Sequence, residues 1–194
     1  MSDYKHIIPF IFRHENYITD KDLALPFEQL FAKARSQGVV ILPDDKGGPT
    51  LCGITMATYN EYNKKLGRPL VNLDSFTQME AADWMGVFKS MFWSKIGGDG
   101  IQNQAIADMM VDWAWTSGYV KVVKITQRIV GAKRDGIVGP KTLALINSRN
   151  SACLLDALVL ERCEYYRELA RKKPKQRKYL QGWINRTNDC ARWK

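Results

Sequence analysis

Two short stretches of the sequence hold side chains that could do acid–base chemistry. The first, HENYITD (residues 14–20), places Glu15 between a histidine and an asparagine, directly after the apolar run YKHIIPFIFR. The second, PDDKGGPTLCGIT (residues 43–55), contains Asp44, Asp45 and Thr50 around a pair of glycines. A carboxyl group in an apolar setting can donate a proton, while a second carboxylate or a hydroxyl can position a water molecule. Hydrolysis of a glycosidic bond needs this division of roles.

Helical spacing of apolar residues predicts the elements that position these groups. A first helix is expected over residues 2–14, with Pro9 inside it, so that Glu15 lies at its C-terminal end, where the helix dipole disfavours a carboxylate. A second helix is expected over residues 25–37. The runs VVIL (39–42) and LCGIT (51–55) are typical of short strands, and PDDKGGPT between them is typical of a tight turn.

The rest of the chain is predicted to be helical. A capping box of Thr77 and Glu80 is expected to open a helix that reaches residue 94. The further predicted helices cover residues 56–66, 104–116, 120–130, a short segment after Pro140, 152–171 and 175–191. The fold class is therefore mainly α with one small β-hairpin.

The charge of the chain is unevenly distributed. Of the formal net charge of +9, residues 1–99 contribute −1 and residues 100–194 contribute +10. A basic second half favours a polyanionic partner such as bacterial cell wall, an anionic membrane or nucleic acid. No DNA-groove-reading helix or aromatic–basic motif stands out, so nucleic acid is not expected.

The cysteines and histidines argue against a metal centre. The four cysteines lack close C-x-x-C spacing, and we interpret them as free buried thiols, with a disulfide as the alternative. Two histidines exclude a histidine-rich site. We expect no metal and no cofactor.

The N-terminus predicts where the protein is made. MSDYKHIIPFIFRHE lacks a long apolar core and a small-residue cleavage site, so it does not have the form of a signal peptide, and no run is long enough for a membrane span. We expect synthesis in the cytoplasm, a monomeric protein, and access to the cell wall by holin-type release or by delivery.

Several motifs in colinear order resemble glycoside hydrolase family 108, the bacterial and phage N-acetylmuramidases. HENY..D followed by DDKGGPTLCGIT is similar to the family's E-G-G-Y-x-x-D-P-x-D-x-G-G-x-T-x-x-G-I-T. Phe92-Trp93 is similar to its Tyr-Trp, and residues 107–118 are similar to its lFDfaVNsG segment. DGIVGPKT with LALIN, and ERCEYYRELA with QGWINR, resemble the associated C-terminal peptidoglycan-binding module.

The resemblance implies a lysozyme-like fold that cleaves the glycan strand of peptidoglycan. It implies that Glu15 is the general acid and that Asp44 and Thr50 position the attacking water, with Asp45 as the alternative to Asp44. Tyr17, Asp45, Gly47 and Gly48 are the predicted substrate-binding residues. The predicted division is a catalytic region over residues 1–99 and a helical peptidoglycan-binding-type region over residues 100–194.

Two features depart from the family pattern. The chain has ENY where the family has E-G-G-Y, and asparagine tolerates a positive φ better than most residues. About twenty residues, 21–42, are inserted between the two motif halves.

Each motif also has a simpler interpretation. Asp44-Asp45 before two glycines is common turn chemistry, and Thr50 could merely begin a strand. The basic run 171–178 could be a solvated linker or an attachment to an anionic surface. The alternative function is a peptidoglycan-binding protein that has lost catalysis at the altered ENY.

Overall fold

A computed structural model describes residues 1–41 and 47–193. The described residues are mainly helical, with one two-stranded antiparallel sheet. The helices are α1 (Ile8–His14), α2 (Phe27–Arg35), α3 (Met56–Lys65), α4 (Leu73–Thr77), α5 (Ala81–Val87), α6 (Gln104–Ser117), α7 (Tyr119–Val130), α8 (Pro140–Ser148), α9 (Ser151–Lys172) and α10 (Leu180–Ala191), and the strands are β1 (Thr50–Leu51) and β2 (Ile54–Thr55). The predicted class, a mainly α lysozyme-like fold with a small hairpin and a C-terminal helical region, is confirmed.

The chain forms two compact units. One contains Ile7–Met91, and the other contains Met1–His6 together with Phe92–Lys194. The division at residues 99 and 100 stays a prediction.

The first helix is shorter than its apolar pattern predicted. It begins at Ile8 rather than at residue 2, and Pro9 lies in its first turn. Proline is favoured there because the first-turn N–H groups have no intrahelical partner, so Pro9 begins the helix instead of kinking it. Phe10, Ile11 and Phe12 are fully buried and anchor the helix in the core of its unit.

The predicted capping box of Thr77 and Glu80 is wrong. Thr77 ends α4, and Glu80 precedes α5 without a side-chain capping bond. The capping box is formed earlier, where the side chain of Asn72 accepts from the N–H of Ser75 at 2.9 Å and the hydroxyl of Ser75 accepts from the N–H of Asn72. Asparagine is at least as favourable an N-cap as threonine. The spacing of apolar residues did not indicate that a helix begins after Asn72.

The inserted segment packs as a short helix on its unit. α2 buries Leu30, Phe31 and Ala34. The predicted strand over residues 39–42 is reduced to a single bridge, in which Val40 and Thr50 exchange two backbone hydrogen bonds of 2.8 and 3.0 Å. Leu42 lies outside the described residues.

Asp22 fastens the start of the inserted segment to α2. Its carboxylate accepts from the ammonium of Lys33 and, at 2.9 Å, from both the N–H and the hydroxyl of Thr19. The bond from Lys33, followed by those from Thr19, lowers the pKa of Asp22 to about 2.

We expect Asp22→Asn to remove stability that depends on pH. The folded pKa lies below the unfolded value of about 4, so the carboxylate stabilises the fold above that pH and loses its contribution as the pH falls towards 2. Urea unfolding should show the variant less stable than wild type at about pH 7, with the two converging near pH 2. A constant difference across this window would contradict the assignment.

The second unit contains a buried ion cluster. Asp112 on α6, fully buried, accepts from Arg162 on α9 at 2.7 Å and from Arg186 on α10 at 2.7 Å. Burial alone would raise the pKa of Asp112, but the charges of Arg186 and Arg162 outweigh it and lower that pKa to about 2. The cluster joins three helices whose residues are distant in sequence.

The first six residues pack on the same unit. Ser2 donates to the carbonyl of Ile101 from both its N–H and its hydroxyl. The ring of His6 lies 2.7 Å from the buried carboxylate of Asp108, and Trp193 donates to the carbonyl of His6. Residues 1–6 are therefore part of this unit's packing rather than the start of α1.

The four cysteines all lie in the described ranges, and none forms a disulfide. Cys52, Cys163 and Cys190 are buried as predicted, whereas Cys153 is exposed. Cys153 was expected to be buried like the other three cysteines, but it lies on an exposed face of α9.

No individual helix in the described part of the chain combines the length and apolarity of a membrane span. α8 and α9 meet that test only as a pair bent by 109°.

Candidate active site

Glu15 lies at the C-cap of α1, in a turn with a defined hydrogen-bond pattern. The N–H of Tyr17 donates to the carbonyl of Phe12 at 2.9 Å, and the N–H of Asn16 donates to the carbonyl of Arg13 at 3.0 Å. These bonds, with Asn16 at φ 62°, define a Schellman motif. The rings of Phe12 and Tyr17 pack edge to face, which is the apolar contact that usually accompanies the motif.

The motif explains the ENY sequence. The residue after the C-cap must be left-handed, a position that glycine usually fills and asparagine fills next best. Asn16 supplies this positive φ, a conformation that asparagine tolerates better than most residues. The turn presents Glu15 at the helix end and directs Tyr17 back towards the core.

Replacement of Asn16 should separate backbone conformation from side-chain chemistry. We expect Asn16→Gly to leave the free energy of unfolding unchanged or slightly raised, and Asn16→Ala to lower it by about 1 kcal/mol, because a Cβ disfavours the left-handed region. Denaturant titration of both variants is the measurement. Equal stability of the alanine and glycine variants would show that the turn does not require this conformation.

The hairpin turns at Cys52-Gly53, inside the predicted strand LCGIT. Leu51 pairs with Ile54 across a two-residue loop in which Cys52 has φ 50° and Gly53 has φ 78°. Two positive φ values are the requirement of a type I′ hairpin turn. Cysteine rarely occupies such a position, which is why the sequence did not indicate a turn there.

The peptide bond between Cys52 and Gly53 is held from both sides. The indole N–H of Trp84 donates to the carbonyl of Cys52 at 2.9 Å, and the N–H of Gly53 donates to the hydroxyl of Tyr17 at 2.9 Å. Cys52 is itself buried, and burial raises the pKa of its thiol to about 12, which keeps it protonated and unreactive. Neither Cys52 nor Trp84 was predicted to have this role.

The bond from Gly53 to Tyr17 joins the two sequence motifs. It fixes the turn that carries Glu15 to the turn of the hairpin that begins at Thr50. Burial raises the pKa of Tyr17 to about 12, and the negative charge of Glu15 acts in the same direction. The hydrogen bond from Gly53 lowers this pKa but does not outweigh burial. The hydroxyl of Tyr17 thus has a positioning role, and its predicted contact with substrate stays a prediction.

The inserted segment also contacts the Glu15 turn. The side-chain amide of Gln37, just after α2, donates to the carbonyls of Asn16 and Tyr17 at 3.2 and 3.3 Å. The turn is therefore held by α1, the hairpin and the insertion, an arrangement that favours a fixed position for Glu15.

The remaining predicted residues fall in and beside the hairpin. Thr50 begins β1, is partly buried, and donates its hydroxyl to the carbonyl of Gly48 at 3.1 Å. Gly47 and Gly48 precede it and are half-buried. Asp44 and Asp45 lie outside the described residues, so their predicted roles are carried by the sequence alone. In the described part of the chain, no three His, Cys, Asp or Glu side chains come together as a metal site would require.

Comparison with known families agrees with the resemblance found in the motifs. Residues 34–118 match the family model described as glycosyl hydrolase 108, and residues 121–188 match the model described as predicted peptidoglycan domain. No curated protein matches the chain. The predicted resemblance to family 108 with a C-terminal peptidoglycan-binding module is thereby confirmed.

A solved structure shares the fold. The chain superposes on SagA of Brucella abortus with a TM-score of 0.67 and 25% sequence identity, over 85% of this chain and 91% of that chain. The two family matches, together with this fold, support a glycoside hydrolase that acts on peptidoglycan.

The family match covers only one of the two motifs. Gly47, Gly48 and Thr50 lie within residues 34–118, whereas Glu15 and Tyr17 lie before them. The match begins at residue 34, within the segment 21–42 that was predicted as an insertion, and therefore does not reach Glu15. Its assignment depends on the ENY motif and on the bond that joins that motif to the hairpin.

Proposed function

We propose that the protein is an N-acetylmuramidase that hydrolyses the β-1,4 bond between N-acetylmuramic acid and N-acetylglucosamine in peptidoglycan. The observation that carries this proposal is the hydrogen bond from Gly53 to Tyr17, since it connects the Glu15 turn with the hairpin of the family-matched region. An acid and a water-positioning group must be held in a fixed relation for this chemistry.

The proposed mechanism gives Glu15 the role of general acid. Its protonated carboxyl donates to the glycosidic oxygen as the bond from that oxygen to C1 breaks and positive charge develops on the sugar ring. A water molecule held by Asp44 and Thr50 attacks C1 and gives its proton to the Asp44 carboxylate. The products are a free sugar hydroxyl and a new reducing end on muramic acid.

Thr50 retains the capacity to bind that water. Its hydroxyl proton is used in the bond to Gly48, but a hydroxyl oxygen has lone pairs that accept hydrogen bonds. Thr50 would therefore accept from the water, and Asp44 would receive the proton. Asp45 is the alternative to Asp44.

The choice between the aspartates can be tested directly. On dye-labelled purified peptidoglycan, we expect Asp44→Asn to slow solubilisation by about 100-fold or more, and Thr50→Ala by about tenfold, because general base groups contribute about 10²–10⁴ in rate. Asp45→Asn, next to it, is the matched comparison; because Asp45 is a predicted substrate contact, its replacement should slow solubilisation, but less than Asp44→Asn does. The reverse order for the two aspartates would assign the role to Asp45, and wild-type rates for all three would remove the hairpin from the mechanism.

Peptidoglycan is the partner that the C-terminal match supports. A monomeric state and entry to the wall by holin-type release or delivery stay predictions.

A further inference from the structure

A groove lies on the helical unit, at the junction of α6 and α7. It has a volume of about 570 Å³ and is lined by Ser117, Gly118, Tyr119, Val120, Lys121, Lys124, Ile125 and Arg134. The motifs that led to the proposed active site lie in the other unit, so this groove is a separate feature. Its lining contains three cations and no acid.

The cations of the groove have no acidic partner in the described part of the chain. Lys121 donates to the hydroxyl of Tyr165 at 2.7 Å, and neither Lys124 nor Arg134 forms an ion pair with a described carboxylate. By contrast, Arg128, on the same helix α7, is paired with Glu161. Cations without a counter-charge around one concavity favour an anionic ligand.

The loop after α7 is held in place to bring Arg134 to the groove. The buried amide of Gln127 donates to the carboxylate of Asp135 at 2.8 Å and to the carbonyl of Ile137 at 3.0 Å, and accepts from the N–H of Gly136 at 2.9 Å. These bonds turn the Asp135 carboxylate towards Gln127. Gly136 has φ 81°, and a Cβ there would lie 3.2 Å from Val120 and 3.3 Å from Lys124, so glycine suits this close approach of the loop to α7.

The groove also has an apolar part. Tyr119, Val120 and Ile125 contribute to its lining, and Val120 is 44% exposed. Lys95 lies over the ring of Tyr119 at 5.7 Å and adds a fourth positive charge beside the groove. A ligand that fits this surface carries small apolar groups as well as carboxylates.

We propose that this groove binds the stem peptide of peptidoglycan, whose alanine methyl groups would contact Val120 and Ile125 and whose carboxylates would meet Lys121, Lys124 and Arg134. The choice of peptidoglycan as the polymer rests on the proposed function. The groove and its positive charges are observed independently of that function. A polyphosphate would leave the apolar part unused. The groove therefore selects glycan that still carries peptide and holds it on the protein during hydrolysis.

Peptide binding by the full-length protein tests this site without requiring catalysis. The probe is the synthetic peptide L-Ala-γ-D-Glu-L-Lys-D-Ala-D-Ala, and its carboxylate-amidated form is the matched ligand control. In calorimetric titration we expect the double variant Lys124→Glu, Arg134→Glu to bind the peptide at least about tenfold more weakly, because like charges then face the carboxylates. Amidation of the peptide should weaken binding to wild type to a similar extent.

Lys141→Glu, an exposed charge change on α8, is the matched protein control and should bind the peptide like wild type. All three substituted positions are exposed, so thermal unfolding should be unchanged and will verify folding. Equal peptide affinity of wild type and double variant would overturn the proposal. Preference of wild type for soluble teichoic acid over the peptide would also overturn it. Failure of the enzyme to cut glycan, with peptide binding intact, would instead contradict only the proposed function.

Discussion

Replacement of Glu15 by glutamine is expected to reduce the release of fragments from purified peptidoglycan by about 10³-fold or more. Glutamine has the shape of glutamate but has no acidic proton to give, and a general acid contributes about 10²–10⁴ in rate. The bonds that define the Schellman turn are backbone bonds, and its left-handed residue is Asn16, so these features do not require the carboxylate. The variant should keep the free energy of unfolding of wild type and still bind insoluble wall.

Glu28→Gln is the matched control for this experiment. Glu28 is an exposed carboxylate in the first turn of α2, in the same unit as Glu15, and should be replaceable without loss of activity. A Glu15→Gln protein with activity near wild type would remove Glu15 from the mechanism. Loss of folding in that variant would show that the carboxylate supports the turn, and Glu15→Asp would then be the variant to assay.

Replacement of Asp112 by asparagine is expected to lower the free energy of unfolding by about 3–5 kcal/mol. Arg162 is fully buried and Arg186 nearly so, and both lose the carboxylate of Asp112 as a partner in the variant. A buried charge left without its counter-charge costs several kcal/mol, although the intact cluster is not thereby a large net source of stability. Denaturant unfolding followed by circular dichroism is the measurement.

Asp156→Asn is the matched control, because Asp156 is an exposed residue of α9 and should change the free energy of unfolding by less than about 0.5 kcal/mol. Joint replacement of Asp112, Arg162 and Arg186 by apolar residues should recover much of the loss. A cost below about 1 kcal/mol for Asp112→Asn would show that water or another group replaces the carboxylate.

The sequence predicted most helices because their apolar spacing records burial on one side. It also indicated that Asn16 tolerates a positive φ, and the structure places Asn16 at φ 62° directly after α1. The predicted helix boundaries near Pro9 and Thr77 were wrong. Several neighbouring residues can begin or cap a helix, and the spacing of apolar residues does not show which of them does so. The turn at Cys52-Gly53 was missed because cysteine carries no turn signal.

Contacts between residues that are far apart in the sequence could not be predicted from local sequence patterns. The bond from Gly53 to Tyr17 spans 36 positions, and Asp112 meets partners 50 and 74 positions away. Nothing in the local pattern distinguishes these polar residues from solvated ones. Their roles follow from helix packing. Once the helices pack, the buried charges and hydroxyls need hydrogen-bond partners, and those partners come from distant parts of the sequence.

The most direct test of the central claim is the identity of the sugar at the new chain end. Purified peptidoglycan digested by the wild-type protein would be reduced with borohydride, and the fragments would be identified by mass spectrometry. The muramidase mechanism predicts reduced N-acetylmuramic acid at the fragment ends, absent from the Glu15→Gln digest. Reduced N-acetylglucosamine, anhydro-muramic ends or an absence of fragments would contradict it, indicating respectively a different bond, a transglycosylase, or a protein that binds the wall without cutting it.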